Sequence, residues 1–188
     1  MAYQKSGFHL SQIICSAFIL FSVVFTINGQ LVWDKKKAEP FLPNPYMIGS
    51  PRDEVLTATK QIFEAREIPL DKEDCNQLTG ECTLISKPVI FIKGTTTKSQ
   101  LEHYCEVPAA NIRNWTKGRY TLRIQISPTS PRNAQVGVYC KFEGMADNFT
   151  GNEWVTLNSK GELEDKMLRC IEDRVHGGDC KNIFEKDR

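Results

Sequence analysis

The stretch from Arg119 to Phe142 constrains the fold most, because it alternates apolar and polar residues through two runs separated by a turn-forming segment. In the first run Tyr120, Leu122, Ile124 and Ile126 share one face, and Arg119, Thr121, Arg123 and Gln125 share the other. That period of two is the signature of a half-buried strand. In the second run Ala134, Val136, Val138, Cys140 and Phe142 fall together, opposite Gln135, Gly137, Tyr139 and Lys141. Ser127 to Asn133 lies between them with Pro128 and Pro131, residues that interrupt ladders and favour turns. The result is an antiparallel hairpin with one side to bury, so the chain must supply a cover.

Two amphipathic segments are the candidates for that cover. Ser50-Pro51-Arg52-Asp53 reads as a helix start, with Ser50 as N-cap and Pro51 in the first turn, and Val55, Ile62 and Phe63 follow at helical spacing. Ser159-Lys-Gly-Glu162 matches a capping box, and Leu163, Met167, Cys170, Ile171 and Val175 form the stripe behind it. Between the first helix and the hairpin, Thr83 to Lys93 is rich in β-formers, with Pro88 marking an edge, a bulge or a strand start. Glu153 to Leu157 reads as a short last strand, and Ser99 to Lys117 as a packed connection with one short helix or strand.

A chain of 188 residues, 40% hydrophobic and 25% charged, suits one domain with a real core and argues against disorder. Lys5 is the only charge before the apolar run Leu10 to Ile27, which ends at Asn28-Gly29-Gln30. This reads as a secretory signal peptide over residues 1–29, or an uncleaved membrane anchor. Residues 30–50, with Pro40, Pro43 and Pro45, read as a proline-rich linker, 51–176 as the domain, and 177–188 as a polar tail. The net charge is +1 with Lys5 included, so the exported part is balanced and shows no field for nucleic acid. The only membrane contact expected is through an uncleaved leader.

Past the leader the cysteines are Cys75, Cys82, Cys105, Cys140, Cys170 and Cys180. An even number in an exported chain favours disulfides. Local spacing suggests Cys75 with Cys82 and Cys170 with Cys180, which leaves Cys105 with Cys140. Cys140 and Cys170 both face the core in this reading, so pairing with each other, or buried free thiols, stay open.

No catalytic apparatus is legible. Phosphate loops, dinucleotide glycines, a nucleophile elbow and a zinc-protease helix are absent. His103-Tyr-Cys105 reads as a packed segment, because a cysteine nucleophile needs a free thiolate with a partner base. His176-Gly-Gly-Asp-Cys180 lacks zinc-module spacing, so no metal and no cofactor is expected. Asn114-Trp-Thr116 and Asn148-Phe-Thr150 match the glycosylation acceptor and would matter in a eukaryotic source. On the polar side of the hairpin, Arg119, Arg123, Tyr139 and Lys141 set an aromatic among long bases, which suggests a partner surface; an ordinary solvated face is the alternative.

The order of leader, capped helix, β-rich section, Gly118-Arg-Tyr-Thr-Leu-Arg-Ile-Gln-Ile126, return strand, Glu153-Trp-Val-Thr-Leu157 and Ser159-Lys-Gly-Glu-Leu-Glu164 resembles exported bacterial envelope domains similar to the BamC-like lipoproteins. Those are accessory components of outer-membrane protein assembly. The resemblance spans about residues 50 to 176, and it implies helices packed on one antiparallel sheet and a role in that assembly. The chain departs from it by having no lipoprotein cysteine at the leader's end and by carrying six later cysteines.

The expectation is an exported α+β domain of two layers, an antiparallel sheet with two helices on one face, stapled by disulfides. It would act as a non-enzymatic binding or structural component of the cell envelope with a protein partner. The rival is a secreted ligand-binding or inhibitor module of eukaryotic origin.

Overall fold

The computed structural model describes residues 39–108, 114–148 and 151–180. The leader region lies outside these residues, as do Thr150 and the tail beyond Cys180. Among the described residues no helix is long and apolar enough to cross a membrane.

The hairpin forms and is longer than its alternation indicates. Strand β6 runs Asn114–Ser130 and β7 runs Asn133–Asn148, with Leu122 opposite Cys140, Ile124 opposite Val138 and Ile126 opposite Val136. The remaining strands are β1 (Tyr46–Ile48), β2 (Leu70–Cys75), β3 (Cys82–Ser86), β4 (Val89–Lys93), β5 (Cys105–Glu106) and β8 (Gly151–Ser159). All pair antiparallel in an eight-stranded sheet whose main path is β2-β3-β6-β7-β8-β5. Among the described residues three helices accompany it: α1 (Arg52–Ala65), α2 (Thr97–Tyr104) and α3 (Glu162–Val175).

All three helices serve one face. Leu122, Ile124, Ile126, Val136 and Val138 are fully buried beneath Val55, Ile62 and Phe63 of α1 and Leu163, Met167, Leu168 and Ile171 of α3. The cover expected from the two amphipathic segments is therefore present, and α2 extends it. Leu101 of α2 sits over Gly118 and Gly144, where a Cβ on either glycine would come within 3.0 Å of a Leu101 methyl carbon. At Gly144 the same Cβ would meet the Trp115 ring at 2.4 Å, so only a missing side chain admits that indole. Phe91, Tyr104, Tyr120 and Phe142 complete this end of the core with ring centroids 5.8 to 6.0 Å apart.

Both long strands have interrupted neighbours, and side chains fill the interruptions. Strands β3 and β4 pair successive parts of β6, and the break falls at Ser86-Lys-Pro88, where Pro88 was expected to disturb the ladder. There the Leu122 amide donates to Ser86 Oγ at 2.9 Å. On the outer edge of β7, β1 pairs residues 134–136 and β8 pairs 142–148. In the gap Asn44 takes both the amide and the carbonyl of Val138, and Glu164 accepts the Cys140 amide. Burying a strand edge without such partners would cost about 1–3 kcal/mol for each orphaned group.

Several expectations are corrected. The residues expected to form a linker fold onto the domain from Pro40 onward: Leu42 donates its amide to Asp165 at 2.6 Å, and Arg169 reaches the Pro40 carbonyl at 2.8 Å. Pro51, not Ser50, is the N-cap of α1, and its carbonyl accepts the Glu54 and Val55 amides. The capping box is displaced: Gly161, with φ +86°, is the N-cap of α3, and Ser159 hydrogen-bonds Glu164 instead of Glu162. A left-handed backbone at that point asks for glycine.

Among the described residues two disulfides are present, Cys75–Cys82 across the β2–β3 turn and Cys170–Cys180 from α3 to the tail. The third expected bridge is not formed, and Cys105 and Cys140 are thiols. Cys105 pairs with Ser159 of β8, whose hydroxyl binds Glu164, whose other oxygen takes the Cys140 amide. Of the alternatives for Cys140 and Cys170, the free thiol holds for Cys140, whereas Cys170 is bonded to Cys180 as its spacing suggested.

Candidate partner-binding face

Among the described residues all three helices lie on one side of the sheet, and no other element covers the opposite face. Register places its outward side chains in rows across β4, β6, β7 and β8: Lys93, Lys117, Met145 and Trp154 in one, Ile90, Arg119, Glu143 and Thr156 in the next. Thr121 and Lys141 follow, then Lys72, Ile85, Arg123 and Tyr139 across β2, β3, β6 and β7. The four side chains singled out from the alternation, Arg119, Arg123, Tyr139 and Lys141, thus lie together on this face.

At its centre is Glu143, only 8% exposed, which accepts from Arg119 Nε at 2.8 Å and from Lys141 Nζ at 2.9 Å. Burial pushes its carboxyl upward, but the hydrogen bonds and charges of Arg119 and Lys141 outweigh burial and hold it below the ordinary range. The Arg119 guanidinium also lies 3.9 Å above the centroid of a Trp154 ring. An arginine fixed by a carboxylate on one side and an indole beneath has lost its rotamer freedom in advance. Its Nη groups are the part of the fork that Glu143 does not use.

Two rows away Tyr139 is 45% exposed. A Cβ on Gly137 would come within 3.0 to 3.3 Å of the Tyr139 ring and hydroxyl, so the ring is laid down over a residue without a side chain. Arg123 faces Tyr139 in register, is exposed, and has no ion-pair partner among the described residues. The helical side carries the opposite character, with Asp53, Glu54, Glu64, Glu67 and Asp173 exposed.

Other reactive groups are engaged elsewhere. His103 Nε2 is 2.8 Å from Glu162 and its ring lies against Tyr104, while Lys166 shares Glu162 at 3.2 Å. His176 is the C-cap of α3 and is exposed. Burial, then the charge of Glu164, pushes the Cys105 thiol up to about 12, and the same causes hold Cys140 well above its usual value. Both sulfurs are therefore protonated at neutral pH and poor nucleophiles. Among the described residues no group of histidines, cysteines and carboxylates could hold a metal ion. Asn114 is exposed at the start of β6, while the side chain of Asn148 lies outside what is described.

The alternation of β6 and β7 could not reveal Trp154 as a member of this face or the role of Glu143 within it. Glu143 continues the β7 alternation past Phe142, but its role comes from the two bases that reach it, and Trp154 arrives through the pairing with Met145. Comparison with protein-family models, with curated proteins and with solved structures finds no match for this chain.

Proposed function

We propose that this is an exported, non-enzymatic binding module of the cell envelope whose working surface is the open sheet face, and that it docks a protein partner there. The observation that carries the reading is Arg119, held between Glu143 and Trp154 beside the exposed Tyr139 and Arg123. Rigid aromatics and arginines are what protein interfaces are enriched in, and a side chain immobilised beforehand loses less entropy on binding. The disulfides fit an oxidising compartment and stiffen parts of the frame. The proposal concerns a binding module and does not depend on the assembly role that the BamC-like resemblance implies.

A photo-crosslinking side chain placed at Tyr139, and in a second variant at Gln61 on the helical side, tests it in the producing cell. A discrete protein adduct from position 139 and none from position 61 is expected. Adducts from 61 alone, or from neither, contradict the reading.

A further inference from the structure

We infer that the partner presents an extended acidic polypeptide segment to this face, an assignment of partner chemistry that rests on the binding-module reading above. The chain as a whole is close to neutral, yet the open face carries Lys72, Lys93, Lys117, Arg119, Lys141 and Arg123 against Glu143 at its centre and Asp74, Glu106 and Asp147 at its margins. On the helical side the exposed acids, Asp53, Glu54, Glu64, Glu67, Glu102 and Asp173, outnumber the exposed bases Lys60 and Lys98, so an anionic partner is steered to the sheet.

Spacing narrows the class. Lys117, Arg119 and Arg123 are successive outward residues of β6, apart from the intervening Thr121. Outward residues of one strand are about 6.8 Å apart, the distance between alternate side chains of any extended polypeptide. A segment with carboxylates at alternate positions meets this ladder of bases over about 20 Å. The Arg119 fork, already stacked on Trp154, suits bidentate capture of a carboxylate.

Apolar area lies on the same face. Tyr139 and Ile90 are 45% and 44% exposed there, and both give contact area to side chains between the acids. The field is also too diluted by Glu143 for the dense phosphate neutralisation that nucleic-acid affinity rests on.

The test uses the exported protein and poly-L-glutamate as probe, with heparin, single-stranded DNA and phosphatidylserine vesicles as competing sources of negative charge. Poly-L-glutamate is expected to bind saturably and more tightly than the other three at physiological salt. Arg123→Glu is expected to weaken it at least about tenfold, because a like charge then faces the ligand. Lys98→Glu, on α2 and away from this face, is expected to leave it unchanged. Equal losses in both variants, tighter binding of heparin, DNA or vesicles, or no binding of poly-L-glutamate would each overturn the inference. If the Tyr139 crosslink to a partner persists while poly-L-glutamate fails to compete with it, the acidic segment is wrong and the binding face stands. If crosslink and poly-L-glutamate binding are both missing, the face falls too.

Discussion

The side-chain amide of Asn44 is hydrogen-bonded to the backbone of Val138 in both senses: its Nδ2 donates to the Val138 carbonyl, and its Oδ1 accepts the Val138 amide at 3.0 Å. A side chain thereby takes the place of a strand residue in the gap between β1 and β8. Replacing it by alanine leaves two partly buried backbone groups without partners. Asn44→Ala is expected to lower unfolding free energy by about 1–3 kcal/mol, read from urea denaturation. The Val138 amide should lose hydrogen-exchange protection. Asn44→Asp keeps the acceptor and loses the donor, so it should fall between wild type and alanine.

The Gly144 position gives a steric prediction. A methyl group there would lie 2.4 Å from the Trp115 ring and 3.0 Å from Leu101. Gly144→Ala is expected to cost about 1–3 kcal/mol through forced displacement of the indole, seen as a lower melting temperature and a changed tryptophan emission. A melting temperature equal to wild type would show that Trp115 packs elsewhere.

The cysteines divide into two chemical groups. Cys105 and Cys140 should resist iodoacetamide at pH 8 in the folded protein, since both are shielded and protonated. They should label on denaturation without reductant, whereas Cys75, Cys82, Cys170 and Cys180 should label only after reduction. Mass spectrometry of the alkylated protein reads this directly. Replacing the Cys170–Cys180 pair by serines is expected to cost about 2–4 kcal/mol.

Acid sensitivity should trace in part to Glu143. Its folded-state pKa is lowered, because the bonds from Arg119 and Lys141 exceed the effect of burial. Its contribution is therefore full above the unfolded carboxylate value and is lost as pH falls through the folded one. Urea midpoints measured downward from neutral pH should decline less steeply in Glu143→Gln than in wild type. At the other extreme, burial raises the Tyr104 phenol to about 12. Its contribution is complete below the ordinary tyrosine value and disappears as pH rises through 12.

The core of the hairpin was legible because Tyr120 to Ile126 and Ala134 to Phe142 keep a strict period of two. Its extensions were not, since Gly118 and Gly144 interrupt the apolar face and a register shift between Trp115 and Lys117 resets the alternation. Strand β2 was hidden because every residue from Leu70 to Cys75 is exposed, so no burial pattern marks it. Helix α2 offers mainly Leu101 and Tyr104 as buried apolar anchors, too few for a visible stripe. The patches by Asn44 and Glu164 join residues far apart in sequence and leave no local sign. On the open face, Arg119, Arg123, Tyr139 and Lys141 were readable from alternation alone. Trp154 needed the β7–β8 register, and the laid-down ring of Tyr139 needed the glycine beside it.

If the open sheet face is the working surface we propose, removing its exposed side chains must weaken partner binding and leave the fold intact. The most direct measurement is the affinity of the crosslinked partner, once identified, for wild type and for the Arg123→Glu/Tyr139→Ala double variant. Both side chains are exposed and away from the core, so the double variant should keep its stability within about 0.5 kcal/mol for each change. A loss of affinity of at least about tenfold with an unchanged melting curve is the result predicted. Equal affinity of the two proteins for that partner would contradict it.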